Sequence, residues 1–212
     1  MPLLFENRET TSVRTAVWKI TEREEELLQM LPKLNLSDSG FLNKISWQPR
    51  RLEWLASRIL LHQLTDFYPD VCYNKKGQPE ITGCNENISI SHTREFAAVA
   101  LSPSFVPGID IERPSPRIGK VKDRFLNEHE KRFLTPAAEN EQLGLIWCSK
   151  EAIFKKAGQK GLNFRENIII SPFTPEEKGQ ISALLMPGSE QETGLELNYL
   201  NRDDFYLVWT LH

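Results

Sequence analysis

The sequence predicts an α+β fold, in which helices and an antiparallel sheet are built from separate stretches of the chain. From Gln48 to Leu64, leucine and isoleucine recur at helical spacing. Towards the C-terminus, four short segments alternate apolar and polar residues, which predicts antiparallel strands. The chain has 212 residues and is 40% hydrophobic, which is enough for one medium domain or two small ones with a real core.

The first half of the chain predicts strands arranged around the long helix. Apolar alternation marks the strands, a capping box and a proline mark the ends of a first helix, and glycine with proline marks a turn. In chain order, the predicted elements are a strand at 15–20, a helix from the capping box Thr21-Glu-Arg-Glu24 to Pro32, the long helix at 48–64, a turn at 73–79, and a strand at 88–90 that leads into Ser91-His92.

The second half predicts two strands, a basic loop, two helices and the four C-terminal strands. Strands at 96–101 and 106–112 are expected to be neighbours, because only a short Ser-Pro-Ser link joins them. Two prolines, Pro114 and Pro116, argue for a loop from Arg113 to Arg124. The remaining elements are a helix that starts at an Asn127 cap with Glu130 in third position, a helix at 141–158, and strands at 167–171, 181–185, 195–200 and 205–211.

Composition and charge argue against several classes of protein. The net charge is −3 and the pI is near 5.9, which gives no indication of nucleic-acid binding. The three scattered cysteines have no metal-site spacing and fit reduced thiols in the cytoplasm. The sequence shows neither a basic leader with an apolar core nor an apolar run of transmembrane length. We therefore expect a cytoplasmic protein without membrane association, and we expect a monomer.

The stretch from Ile146 to Gly158 predicts a helix with an unusual face. At about 100° per residue, one side collects two aromatic residues, two cations and one carboxylate: Trp147, Lys150, Glu151, Phe154 and Lys155. A core face would not carry those charges, because a buried unpaired charge is costly, and a solvated face would not need the aromatic residues. Two interpretations remain open here: a functional face, or an amphipathic helix with a Glu151–Lys155 pair.

A second motif, Gly108-Ile109-Asp110-Ile111-Glu112, alternates apolar residues with carboxylates, which predicts the end of a strand. Because a strand has a period of two, Asp110 and Glu112 point to the same side. Neighbouring carboxylates repel each other, and Mg²⁺ is a suitable cation to hold them together, since it prefers oxygen ligands and leaves room for substrate phosphates. An exposed strand face with ordinary surface acids is the alternative.

These two motifs, together with a third, resemble those of the 4′-phosphopantetheinyl transferases. Gly108-Ile109-Asp110 followed by Trp147-Cys-Ser-Lys150-Glu151-Ala-x-x-Lys155 resembles the paired motif of that family. Ile88-Ser-Ile-Ser91-His92-Thr93 resembles its Ser-His motif. The order, the spacing and the chain length resemble the longer, surfactin-type branch of the family.

The resemblance implies a fold of two similar halves, a pseudo-dimer in one chain in which each half is an antiparallel sheet with packed helices. Residues 1–105 would bind the phosphates of coenzyme A, and residues 106–212 would hold the metal and dock the carrier. The implied reaction moves 4′-phosphopantetheine from coenzyme A to a serine of an apo acyl or peptidyl carrier protein and releases adenosine 3′,5′-bisphosphate.

The resemblance also implies roles for individual residues. Mg²⁺ would be held by Asp110, Glu112 and Glu151. Coenzyme A, the co-substrate, would be bound by Arg51, Arg58, Lys75, Ser91, His92, Lys150 and Lys155. Lys155 would also help the leaving group to depart, and the base for the attacking serine would be Glu151, a metal-bound water or Glu130.

Two further features bear on these roles. Gln78 stands where the family often has a lysine, so Lys75 or Lys76 would have to compensate. The predicted loop from Arg113 to Arg124 has five cations against Asp123 alone, which predicts a docking surface for an acidic carrier protein. Two other functions remain open: a module that binds coenzyme A or a nucleotide without transfer, and a Mg²⁺-dependent phosphohydrolase that uses water as the nucleophile.

Overall fold

The structure, a computed structural model, contains two antiparallel sheets with helices packed on them. It describes residues 3–7, 12–159, 161–186 and 191–212. The chain divides between Val106 and Pro107 into two compact units, and each unit has a hydrophobic core of its own. The predicted α+β class is confirmed.

The first unit is a six-stranded sheet with one long helix packed on it. Its elements are β1 (Leu3–Asn7), β2 (Arg14–Lys19), α1 (Glu24–Met30), α2 (Leu36–Leu42), α3 (Gln48–Thr65), β3 (Asp70–Tyr73), β4 (Pro79–Thr82), β5 (Asn87–Thr93) and β6 (Phe96–Ser102). The strand order is β1-β2-β6-β5-β4-β3, and each neighbouring pair is antiparallel. The helix α3 lies against β2, β5 and β6, because Leu55, Ile59 and Leu60 give it a buried apolar face.

The second unit is a five-stranded sheet, again with one long helix packed on it. Its elements are β7 (Ile109–Glu112), α4 (Pro116–Phe125), α5 (Glu128–Phe133), α6 (Glu139–Ala157), α7 (Phe164–Asn167), β8 (Ile168–Ile170), β9 (Lys178–Leu185), β10 (Thr193–Asn201) and β11 (Tyr206–Thr210). The strand order is β7-β11-β10-β9-β8. The helix α6 packs on β7 and β11 and ends, as predicted, at Gly158, whose φ of 57° is in the left-handed region.

The two units repeat one topology. In each, the first strand of the series is followed by the long helix and then by four antiparallel strands. The last of those strands pairs with the first, so that β2-β6-β5-β4-β3 matches β7-β11-β10-β9-β8 position by position. The first unit adds β1 at its edge. The expectation of two similar halves, each an antiparallel sheet with packed helices, is therefore confirmed.

Three local predictions are wrong. The predicted basic loop is largely the helix α4: Pro116 occupies its first turn, where the missing N–H is not needed, and the hydroxyl of Ser115 accepts from the N–H of Arg117 at 3.3 Å. The strands β6 and β7 are not neighbours, because they belong to different sheets. The helix α1 is capped at Arg23, whose N–H donates to Glu26 at 2.8 Å, and not at Thr21.

The long helices are parts of the two cores. The helix α3 carries three arginines along its length, and α6 carries both acids and lysines. Among the described residues, no helix is both long enough and apolar enough to cross a membrane.

Candidate active site

The motif carboxylates of the second unit lie where β7 runs alongside α6. The strand β7 is the edge of its sheet and pairs with β11. Ile109 and Ile111 are buried on one face of the strand, which places Asp110 and Glu112 on the other face. Asp110 is itself buried, whereas Glu112 is half-buried.

The glycine of the motif allows β7 to approach α6. A Cβ atom at Gly108 would lie 1.9 Å from the carbonyl oxygen of Ala152 in α6. The N–H of Gly108 also donates to the hydroxyl of Thr210 in β11 at 2.9 Å. Only a residue without a side chain fits this contact, so the glycine brings the carboxylate strand to the helix that carries Glu151 and Lys155.

Lys155 ties α6 to β7 through its ammonium group. Its Nζ donates to the carbonyl of Ile109 at 2.9 Å and to Oδ1 of Asp110 at 2.7 Å. The Lys155 side chain is 29% exposed, whereas that of Asp110 is 6% exposed. Lys155 thus places a partly accessible positive charge next to the predicted metal ligands.

Burial and mutual repulsion act on the carboxylates of this site. Burial raises the pKa of Glu151 to about 7, and the negative charges of Asp110 and then Glu112 act in the same direction. The charge of Lys155 opposes the shift. Burial, followed by the charge of Asp110, also raises the pKa of Glu112, although Nε1 of Trp147 donates to its Oε1 at 3.4 Å.

The three carboxylates fit a hard divalent cation by their donor chemistry. Mg²⁺ prefers oxygen ligands, and a cation would relieve the repulsion that raises the carboxyl pKa values. The ligands are not pre-arranged: in the described part of the chain, no three His, Cys, Asp or Glu side chains form a group that could hold a metal ion. Asp110, Glu112 and Glu151 therefore remain predicted ligands.

The structure corrects the placement of Lys150. Its side chain is fully buried, and its ammonium donates to Oε2 of Glu130 at 2.8 Å and to the carbonyls of Phe125 at 2.7 Å and Phe164 at 2.8 Å. These contacts use all three of its N–H donors, and burial lowers the pKa of Lys150 to about 8. The predicted contact with coenzyme A is therefore not retained.

Glu130 is likewise a structural residue. It is fully buried, and its Oε2 accepts from the N–H of Asn127 at 2.9 Å, which confirms the predicted capping arrangement at the start of α5. Its Oε1 accepts from the N–H of Ile170 at 2.8 Å. Because both oxygens are bonded inside the core, Glu130 is not retained as a candidate base.

In the first unit, α3 brings two charged residues to His92 of β5. Oε2 of Glu53 lies 2.9 Å from Nδ1 of His92 and 3.4 Å from Nη1 of Arg50, and this Nη1 lies 2.9 Å from the same Nδ1. Glu53 is buried, whereas the His92 side chain is 30% exposed. Arg50 is not among the predicted site residues. Its i,i+3 spacing to Glu53 is visible in the sequence, but its contact with His92, 42 residues away, is not.

Arg51 serves the packing of the first unit. Its Nε and Nη2 donate to the carboxylate of Glu24 at 2.8 and 2.5 Å, and its Nη1 donates to the carbonyls of Leu42 and Ile45. These bonds join α1 and the end of α2 to α3. The predicted role of Arg51 in binding coenzyme A is therefore replaced by a structural one.

Arg58 is also placed differently from the prediction. It is 2% exposed, its guanidinium lies 4.6 Å from the ring of Trp54, and its Nε lies 3.7 Å from Oδ1 of Asp38. The guanidinium is therefore not presented at the surface of the first unit. The prediction that Arg58 binds the 3′-phosphate is therefore corrected.

Lys75 and Ser91 lie where the sequence predicts them. Lys75 is exposed in the turn between β3 and β4, which is held by Oδ1 of Asn74 accepting from the N–H groups of Lys76 and Gln78 at 2.9 and 3.0 Å. Ser91 is buried on β5 next to His92. Their roles with coenzyme A stay predictions.

Comparison with known proteins agrees with the motifs. Residues 107–192 match the model of a family described as the 4′-phosphopantetheinyl transferase superfamily. The 4′-phosphopantetheinyl transferase AcpT of Salmonella typhimurium is 30% identical over 115 residues, which are 51% of this chain and 60% of the relative. The 4′-phosphopantetheinyl transferase gsp of Aneurinibacillus migulanus is 34% identical over 89 residues, 41% of this chain and 37% of the relative. The chain thus spans 60% or less of the length of these relatives, and the resemblance to the family is confirmed.

Proposed function

Because residues 107–192 match the 4′-phosphopantetheinyl transferase superfamily, we propose that the chain transfers 4′-phosphopantetheine from coenzyme A to a serine of an apo acyl or peptidyl carrier protein. The products are the holo carrier and adenosine 3′,5′-bisphosphate. The observation that carries the proposal is the contact of Lys155 in α6 with Asp110 in β7 at 2.7 Å, which joins a cation of one motif to a carboxylate of the other.

The assigned roles follow from the needs of phosphoryl transfer, which gains most from positioning and from neutralisation of phosphate charge. Asp110, Glu112 and Glu151 are assigned to hold Mg²⁺, which supplies positive charge beside the pyrophosphate when bound. Lys155, anchored on Asp110, adds a second positive charge that stabilises the departing adenosine bisphosphate.

Glu151 is assigned as the proton acceptor. The serine oxygen of the carrier bonds to the β-phosphorus of coenzyme A, its proton passes to Glu151, and the bond from the β-phosphorus to the bridging oxygen breaks. The bridging oxygen leaves with adenosine 3′,5′-bisphosphate. Glu151 is suited to both assignments because a carboxylate has two oxygens, so one can ligate the metal while the other accepts a proton.

His92 and Arg50 are assigned to a phosphate of coenzyme A. Nδ1 of His92 lies 2.9 Å from Oε2 of Glu53 and 2.9 Å from Nη1 of Arg50, which fixes the ring. With a proton on Nε2, the ring donates to a phosphate oxygen. A charge-assisted contact of this kind contributes about 1.5–3 kcal/mol. Lys75 is assigned to the nucleotide, because it supplies a cation in the turn where Gln78 does not.

The proposal is tested by mass spectrometry of a panel of apo carrier proteins incubated with the chain, coenzyme A and Mg²⁺. We expect the carrier to gain the mass of 4′-phosphopantetheine, and we expect Asp110→Asn and Glu151→Gln to slow this gain by about 100-fold or more. Glu141→Gln is the matched control, because Glu141 is an exposed carboxylate in the first turn of the same helix. This variant should transfer at the wild-type rate.

Two results would contradict the proposal. Coenzyme A that binds tightly without modifying any carrier would favour a binding module. Phosphate released from coenzyme A in the absence of a carrier would favour a phosphohydrolase.

A further inference from the structure

A buried ion pair connects five elements of the second unit. Lys150 of α6 bonds to Glu130 of α5 at 2.8 Å, and both side chains are 0% exposed. Glu130 in turn accepts from the N–H of Ile170 in β8 at 2.8 Å. The other two bonds of Lys150 reach the end of α4 and the start of α7. The pair therefore holds α4, α5, α7 and β8 around α6.

The two carbonyls that Lys150 holds belong to residues whose rings contact Trp147. Lys150 Nζ lies 2.7 Å from the carbonyl of Phe125 and 2.8 Å from that of Phe164. The ring centroids of Phe125 and Trp147 are 5.3 Å apart, and those of Phe164 and Trp147 are 5.7 Å apart. Lys150 thus anchors the backbone of both rings that pack on Trp147, an arrangement that we call the Trp147 cage.

Trp147 connects this cage to the carboxylates of β7. Its Nε1 donates to Oε1 of Glu112 at 3.4 Å. A glutamate side chain has several rotatable bonds, and holding it in one rotamer costs conformational entropy. A donor fixed by a rigid cage restrains the Glu112 carboxylate before any ligand arrives.

We propose that Lys150 is a positioning residue that acts through the Trp147 cage on the carboxylate of Glu112. The inference rests on the proposed function, in which Glu112 holds Mg²⁺. An apolar residue would be easier to bury, but a group with three donors satisfies two carbonyls and one carboxylate at once. If Lys150 only stabilised the core, replacing it would not change the affinity for Mg²⁺.

The link from Trp147 to Glu112 is tested with Trp147→Phe, which keeps an aromatic ring and removes the N–H donor. Trp18→Phe is the matched control, since the indole of Trp18 also donates to a carboxylate, that of Glu22 at 3.3 Å, in the first unit. Mg²⁺ is titrated by calorimetry into the full chain saturated with coenzyme A. We expect Trp147→Phe to weaken Mg²⁺ binding about 10-fold and to lower kcat, with the KM for coenzyme A unchanged.

Trp18→Phe should behave as the wild type in each of these measurements. Wild-type Mg²⁺ affinity in Trp147→Phe would overturn the inference. A rise in the KM for coenzyme A without a change in Mg²⁺ affinity would also overturn it, because the indole would then serve the substrate and not Glu112.

The link from Lys150 to the cage is tested with the double variant Lys150→Met and Glu130→Gln, which removes both charges and leaves no buried charge unpaired. We expect this variant to show the same loss of Mg²⁺ affinity, about 10-fold, as Trp147→Phe. Adding Trp147→Phe to the double variant should then cause little further loss, because the residues act in series. Additive losses of Mg²⁺ affinity would contradict the proposal that Lys150 acts through Trp147. Wild-type Mg²⁺ affinity in the folded double variant would contradict it as well.

Near-ultraviolet circular dichroism establishes that the double variant is folded. If it is not, Lys150→Arg takes its place, because it keeps a cation beside Glu130 and moves the donors away from the carbonyls of Phe125 and Phe164. Wild-type Mg²⁺ affinity in Lys150→Arg would overturn the inference. The same experiments separate the two proposals. A wild-type chain that modifies no carrier refutes the proposed function, whereas wild-type transfer with unchanged Mg²⁺ affinity in both variants refutes only the positioning role.

Discussion

Lys150 and Lys155 show how position on one helix decides what a lysine does. Five residues apart, their side chains leave the helix about 140° from each other. The Lys150 side chain is 0% exposed and bonded to the core, whereas that of Lys155 is 29% exposed and lies on Asp110. Only Lys155 keeps a solvent-facing part, so it is the one suited to meet a phosphate.

Glu151 should make the metal-free protein less stable as the pH rises. Burial raises its pKa to about 7 in the folded chain, from an ordinary value of 4.5. Between these values the folded chain binds a proton that the unfolded chain has released, so the free energy of unfolding falls as the pH rises through this window. We expect Glu151→Gln to reduce that fall, measured by urea unfolding in EDTA at pH 5 and pH 8.

Part of the pH dependence should remain in Glu151→Gln, because the pKa of Glu112 is raised as well. Glu141→Gln, which changes an exposed carboxylate of the same helix, should leave the fall at its wild-type size. An equal fall in the wild type and in Glu151→Gln would show that folding does not raise the pKa of Glu151.

The residue types of the site could be predicted from the sequence, but the burial of its charges could not. Asp110 with Glu112, and Glu151 with Lys155, follow from the short periods of a strand and a helix. The partners of Lys150 lie 25, 20 and 14 residues away, at positions that only the packed fold brings together. For the same reason, the burial of Arg58 could not be predicted from the sequence.

At the scale of elements, the approach of β7 to α6 depends on Gly108. A Cβ at this position would lie 1.9 Å from the carbonyl oxygen of Ala152, which is helix backbone and cannot turn aside. We expect Gly108→Ala to push β7 away from α6 and to lower the free energy of unfolding by about 1–3 kcal/mol. The rate of transfer should also fall strongly, because Asp110 moves away from Glu151. Urea unfolding and the transfer rate measure the two effects.

Gly194→Ala in β10 is the matched control, because a Cβ there would meet nothing within 4 Å. This variant should change the free energy of unfolding by about 0.5 kcal/mol or less and should leave transfer unchanged. A Gly108→Ala protein with wild-type stability and transfer would show that the strand and the helix have room to separate without loss.

The helix α4 presents an exposed basic face. Arg117, Lys120 and Arg124 are exposed at i, i+3 and i+7, whereas Lys122 pairs with Glu139 at 2.7 Å. We expect Arg117→Glu with Lys120→Glu to raise the KM for an acidic carrier protein several-fold, because charges at the rim of an interface act mainly on association. The KM for coenzyme A should not change. Steady-state transfer with each substrate varied separately measures both constants.

Lys33→Glu with Lys44→Glu is the control for net charge, since both lysines are exposed in the first unit and the charge changes equally. This pair should leave the KM for the carrier unchanged. Added salt should raise the wild-type KM towards that of the α4 variant by screening. If the α4 variant binds the carrier as the wild type does, the basic face has no part in docking.

At the scale of the whole chain, the sequence predicts the elements better than their connections. Twelve of the described strands and helices follow from local patterns. The helix α4 does not, because Pro116 stands at a helix start, where proline is tolerated. The placement of β6 and β7 in two different sheets likewise cannot be predicted from the spacing of apolar residues along either strand. The repeat of one topology in the two units is predicted only through the family resemblance, because the two units share a strand order and not a sequence pattern.

The two cores should lose stability separately. Leu60 of α3 and Leu197 of β10 are both 0% exposed, and each belongs to the core of a different unit. Leucine to alanine removes the same atoms at both places and typically costs about 3–5 kcal/mol. We expect Leu60→Ala to speed amide hydrogen exchange in β5 and β6 and to leave β10 and β11 at the wild-type rate. Leu197→Ala should do the reverse, so each variant is the control for the other. Exchange that either variant speeds equally in both units would mean that the repeated topology unfolds as one cooperative body.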